Sequence, residues 1–402
     1  MRYFLGKITL FTVVALSLLT ENVTAQIGTG DLDGRVNTVF TAIPFLRINP
    51  DGRTSGMGDV GIATAVDAGA LYHNIGKLAY ATSDVGLSVT YTPWLRELVS
   101  DIFIAQIAGY KKINDLQSIG LSLRYFSLGN ITFTDIAGTE TGNYNPNEFA
   151  IDLGYSRKLS DNFSTGLTLK YVRSDLASGQ EVSTGNIINA AQAVAADLGF
   201  FYTNPEMTIG GKPAELSIGA AITNIGNKVS YTQDDTKDFI PTNLGLGSNL
   251  RLDLNEHNSI AIAFDINKLM VPTPDSSFNA INGNLDSPDN PRNKPLLSGM
   301  FGSFADAPGG FSEEMQELMY SVGLEYWYNK QFAVRAGYFN EHRLKGNRKF
   351  LTLGLGLRYS VFGFNFSYIV PTTSQRNPLD NTLRFSLTFD FDGKGSGSDI
   401  LE

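Results

Sequence analysis

The chain contains no cysteine, which removes disulfides, thiolate metal sites and cysteine nucleophiles together. A small secreted scaffold, which depends on such staples, is excluded with them. Histidine is nearly as scarce, with only His73, His257 and His342. They fall in three separate stretches, so no metal site is expected. A Ser-His hydrolase would have to use His342, with Glu341 beside it and Ser374 as its nucleophile; loop polarity explains His342 as well, and no catalytic residue is assigned. Charged residues make up 18% of the chain and the net charge is −9, so the basic footprint of a nucleic-acid binder is missing. Beyond residue 25, no apolar run reaches the ~20 residues that a spanning helix needs.

Gly56-Met-Gly58-Asp59-Val-Gly61 matches G-x-G-x-x-G. A dinucleotide fingerprint must join a strand to a helix inside a βαβ unit. Here Arg53-Thr-Ser precedes it and no parallel α/β pattern follows, so no cofactor is expected. The glycines are read as permitting tight turns and close packing.

What is abundant is glycine, with 41 residues, and aromatic side chains, with 26 Phe and 17 Tyr. Residues 1–25 have the parts of a secretory signal. Arg2 and Lys7 begin it, Ile8 to Leu19 is apolar, and Val23-Thr-Ala25 is a small-residue cleavage site. From Val85 onward the sequence alternates with period two, the mark of strands with two unlike faces. Fourteen such runs are expected, at 85–92, 101–111, 118–127, 147–158, 163–173, 194–203, 215–223, 242–253, 259–269, 319–328, 331–340, 350–359, 362–370 and 382–391. Most approach the ~9–11 residues that cross a bilayer as a tilted strand.

Alternation alone does not say which face is inside. Two features decide. The polar face mixes glycine and serine with Arg124, Lys170, Asp265, Glu325, Arg335, Arg358, Arg384 and Asp390, which suits a crowded wet lumen. The links are also sorted: 128–146, 174–193, 224–241 and 270–318 are long, whereas 159–162, 254–258, 329–330 and 360–361 are short. Long links at one end and tight turns at the other are the outer-membrane pattern. The expected fold class is all-β, a 14-stranded antiparallel outer-membrane β-barrel over 85–391. Its long loops are expected outside the cell and both termini in the periplasm. Residues 392–402 form a polar tail. A barrel of this width is not filled by its own side chains. The small-residue segment 26–84 is therefore expected to be an N-terminal luminal plug, built around Gly56, Gly58, Asp59, Gly61 and Asn74.

The long loops carry apolar residues where water is expected: Ile187 and Ile188 in one, Leu296, Leu297, Phe301, Phe304 and Phe311 in another. Ser312 is expected to cap a short acid-rich helix there. With Trp94 and Leu95 from the first loop, Ile187, Ile188, Phe301 and Phe304 are the expected partner contacts.

Two stretches carry a resemblance. Asn49 to Leu78 leads from Gly-Met-Gly through Asp-Ala to Tyr72-His73-Asn74-Ile75-Gly76, similar to the plug signature of FadL-like barrels, with Ile75 in place of the usual proline. Together with Tyr91-Thr-Pro-Trp-Leu-Arg-Glu-Leu-Val-Ser-Asp-Ile102, it resembles the PorV family of the type IX secretion system. The resemblance implies a non-enzymatic subunit in the outer-membrane lipid. Its partners would be an SprA-like translocon barrel, a PorU-like sortase attachment complex and exported proteins with C-terminal signal domains. The alternative is a FadL-like channel for hydrophobic small molecules.

Overall fold

The computed structural model describes residues 37–94, 101–134, 137–180, 187–232, 237–275, 287–372 and 382–392. The signal at 1–25, the start of the plug segment at 26–36, Leu95, Ser374 and the tail from 393 lie outside the described residues. Sixteen strands follow the plug: β1 Val85–Pro93, β2 Ile102–Asn114, β3 Gln117–Leu128, β4 Ile131–Thr134, β5 Glu140–Tyr144, β6 Asn147–Lys158, β7 Phe163–Asp175, β8 Ala191–Ile209, β9 Lys212–Gly226, β10 Asn243–Asp253, β11 Asn258–Leu269, β12 Met319–Tyr328, β13 Phe332–Asn340, β14 Lys349–Tyr359, β15 Phe362–Pro371 and β16 Leu383–Phe391. All but β4 and β5 close into one antiparallel barrel of fourteen strands, with neighbours in chain order. The ring shuts where β1 pairs with β16, from Val85 with Phe391 to Tyr91 with Phe385.

The two faces are turned as a bilayer demands. On β14, Leu351, Leu353, Leu355 and Leu357 point outward, Leu353 being 56% exposed, while Thr352 between them is buried. Arg124, Arg335 and Arg384 point inward, and Arg335 is 1% exposed. Buried charge is tolerable only when it is paired. Lys170 Nζ donates to Asp197 (3.0 Å), and Arg335 Nε to Glu325 (2.7 Å).

Two expectations need correction. The link at 128–146 is not a plain loop, because β4 and β5 form a separate two-stranded hairpin there. The runs at 194–203 and 215–223 extend into a longer hairpin, β8 and β9. Both prolines fall inside these strands: a register shift between Asn204 and Met207 accommodates Pro205, and Pro213 pairs with Thr208. The turn is Gly210-Gly211, both with positive φ (60° and 77°), as a two-residue type I′ hairpin requires. Every link at that end is now short. Links at the other end run from 341–348 to 270–318.

Candidate functional site

Residues 37–84 lie inside the barrel and run its whole length. Asn37 is held at the long-loop end, its amide donating to Pro274 O (2.8 Å) and Glu313 Oε1 (3.2 Å). Ala42 N donates to Phe239 O (2.9 Å). Tyr80 reaches the short-turn end, its hydroxyl donating to Asp161 O (3.2 Å). The two ends of the described chain therefore lie at opposite mouths: Asn37 among the long loops, Phe391 beside the start of β1. This segment therefore threads the lumen from one mouth to the other.

The plug is fixed by backbone approach and by charge. Asp51 caps the turn Gly52–Ser55, accepting from Arg53 N and Thr54 N. Gly52 N donates to Ser386 Oγ (2.8 Å) and Gly58 N to Thr352 Oγ1 (2.8 Å). Gly56 lies so close to the wall that an added Cβ would stand 2.9 Å from Gly354 Cα. Asp59 accepts from Asn49 Nδ2 (3.0 Å) and faces Arg384 at 3.9 Å. Gly61 N and Ile62 N both donate to the wall carboxylate of Asp265 (2.7 and 3.1 Å). Asn74 pins the far side: its Nδ2 donates to Ile62 O (3.1 Å) and Phe200 O (3.0 Å), while its Oδ1 accepts from Gly76 N (3.0 Å). Ile75, which stands where a proline was expected, is buried against Gly154 and Gly166 of the wall.

Sequence reasoning missed the charged lock beneath these contacts. Arg53 forks onto Glu325 of β12, with Nε to Oε2 at 3.1 Å and Nη2 to Oε1 at 3.0 Å, and its Nη1 donates to Asp67 at 2.9 Å. Glu325 is shared with Arg335. Within the plug, Lys77 is fully buried and donates to Gly61 O (2.7 Å) and Thr64 Oγ1 (3.3 Å). His73 Nε2 lies 3.0 Å from Thr54 Oγ1. A chamber of about 120 Å³ remains between plug and wall, lined by Arg47, Asp59, Tyr72, Lys170, Asn224 and Arg348 among others.

The expected partner contacts scatter. Trp94 is not on the surface: it is 7% exposed and meets Phe126 edge-on in a cluster with Ile43, Phe45 and Leu46 of the plug. Its ring packs plug to wall, so the expectation of a surface contact there is corrected. Ile187 is 47% exposed and Ile188 half-buried, with Ile188 N donating to Gln180 O (2.8 Å). Phe301 and Phe304 are exposed near the helix Leu296–Gly302. The following helix, Phe311–Gln316, is not capped by Ser312, which lies inside its first turn; Gly310, with φ 68°, precedes it. Glu341, the acid beside His342, is engaged by Arg348 (2.7 Å) and Arg47 (3.4 Å). Burial alone would raise its carboxyl, but Arg348 holds it below the ordinary carboxylate range.

A closed barrel with lipid-facing leucines, a charged lumen and an N-terminal segment bonded through it defines a plugged outer-membrane β-barrel. A family model described as "Type IX secretion system protein PorV" matches residues 32–276. The chain belongs to that family, and is an outer-membrane component of the type IX secretion system. Among solved structures it is similar to the toluene transporter TbuX of Ralstonia pickettii, at 11% identity and TM-score 0.46, covering 85% of this chain and 98% of that one. It is similar also to the toluene transporter TodX of P. putida, at 12% identity and TM-score 0.47, covering 85% and 98%. A FadL homologue of Pseudomonas aeruginosa stands at 12% and 0.42, covering 88% and 99%. No curated protein matches the chain.

Proposed function

We propose that this barrel is the subunit that receives exported proteins at the outer face. It binds their C-terminal signal domains and passes them from an SprA-like translocon barrel to a PorU-like attachment complex. The long loops lie outside the cell, and Ile187, Ile188, Phe301 and Phe304 belong to the contact surface. The observation that carries this reading is the plug: hydrogen bonds and backbone contacts tie residues 37–84 to β6, β8, β11, β12, β14 and β16. A lumen so occupied has no room for a polypeptide, which moves the work to the loops. Removing the chain from cells should strand exported proteins in the periplasm, and Ile187→Asp with Ile188→Asp should weaken co-purification with translocon or cargo. Normal surface display without the chain would refute the reading.

A second reading, a channel for hydrophobic small molecules, is favoured by one feature. A cavity of about 610 Å³ at the long-loop end is lined by Phe40, Ile43, Leu176, Tyr231, Phe239 and Val271, within the size range of ligand pockets. Saturable binding of labelled toluene or a fatty acid to the purified barrel would support it. Binding unaffected by Phe239→Asp would count against this cavity as the site.

A further inference from the structure

Two short helices at the long-loop end are turned inside out. In Phe311–Gln316 and the residue after it the carboxylates face inward. Lys268 Nζ donates to Glu314 (3.0 Å) and Glu317 (2.5 Å), and Lys345 Nζ donates to Glu317 (3.0 Å) and Glu313 (2.5 Å). Phe311, 80% exposed, and Met315 one turn later face away. In Leu296–Gly302 the inward side is Gly299 and Met300, with Gly299 against Phe239 and Pro272, while Leu297 and Phe301 one turn apart are exposed, Phe301 at 66%. Phe304 is exposed as well, and its ring lies 5.7 Å from Lys268 Nζ, the cation that holds Glu314 and Glu317.

A helix that lies on a membrane carries Lys and Arg along its polar side. These carry only Glu313 and Glu314 between them, so an anionic lipid surface is disfavoured. The surrounding charge points the same way. The seven links at this end (94–101, 129–146, 176–190, 227–242, 270–318, 341–348 and 372–382) hold seventeen Asp and Glu against nine Lys and Arg, and the rest of the chain twenty-three against twenty-two. Almost all the net negative charge therefore sits in these links. Several of the cations there are already used: Lys345 by Glu313 and Glu317, Arg348 by Glu341, Arg292 by Asp238 and Lys294 by Asp306.

From this we infer that Leu297, Phe301, Phe304, Phe311 and Met315 form the seat of a partner protein whose contact surface is apolar at its centre and basic at its rim. The inference rests on the secretion reading and deepens it, because it specifies the chemistry that an exported domain must present. Apolar anchors supply most of the affinity of such a contact, and rim charge sets the rate of encounter.

The test uses the full-length barrel in nanodiscs and, as probe, the C-terminal signal domain of one exported protein. Phe301→Asp and Phe311→Asp should each weaken binding about tenfold or more, with the thermal midpoint of the barrel unchanged. Asp289→Lys and Glu140→Lys should slow association without changing dissociation, and rising salt should slow it for the unaltered barrel. Binding indifferent to both aspartates, association indifferent to salt, or no binding by the unaltered barrel would overturn the inference. So would loss of adhesion to lipid vesicles with domain binding intact, which would assign the surface to the membrane. If cells lacking the chain still display exported proteins, the secretion reading fails. If display needs the chain but tolerates Phe301→Asp with Phe311→Asp, this inference alone fails.

Discussion

Among the described residues, Arg53 is the side chain that ties the plug to the wall by a two-pronged ion pair, and replacing it with alanine removes that tie. Its guanidinium donates twice to Glu325, once to Asp67 and once to Ala65 O (3.1 Å). Removing one member of a buried pair costs ~3–5 kcal/mol, because the other is left without compensation. Arg335 still reaches Glu325 at 2.7 Å, so the low end applies, about 3 kcal/mol. That shifts the ratio of seated to unseated plug by about 150-fold. The assay is single-channel recording in planar bilayers, with entry of a large antibiotic into cells as its counterpart. Arg53→Ala should give long openings and a lower thermal midpoint. Arg53→Lys, which keeps the charge but loses the fork, should fall between. A baseline and a midpoint equal to those of the unaltered barrel would show that the ion pair does not hold the plug.

Two further outcomes follow from other contacts. In Gly337→Ala the new Cβ would lie 2.0 Å from Met57 C and 2.1 Å from Gly58 N; the plug must retreat, costing about 1–3 kcal/mol, which recordings and melting would show together. Trp94→Ala should cost about 3–5 kcal/mol, seen in the melting temperature, whereas a surface contact would lower only partner affinity.

The wall was legible because each strand repeats one simple choice. Leu351, Leu353 and Leu355 against Thr352 and Gly354 state both the strand and its two faces, and the sorting of the links says which face meets lipid. The plug was legible as composition but not as contacts. Nothing local in Arg53 or Glu325 says that two residues 272 positions apart share a bond; the available signal was only that a charge on a strand's inward face needs a partner. Trp94 misled because a tryptophan at a strand end suits a membrane interface as well as an inner cluster. The β8–β9 hairpin runs past the alternating stretches at 194–203 and 215–223, and Gly210-Gly211 was the signal that marked its turn. Ser312 looked like a cap by type, yet Gly310 has the positive φ that begins the helix.

The passage of residues 37–84 from one mouth to the other has a consequence for assembly. A finished cylinder would have to be threaded end to end by the chain that precedes its own first strand, and folded chains avoid threading. A wall that wraps around a strand of polypeptide already laid along its axis avoids that threading. The seam that can stay open until then is the one between the first and last strands, Val85–Tyr91 against Phe385–Phe391. On that route the content of the vessel is in place before the vessel is shut.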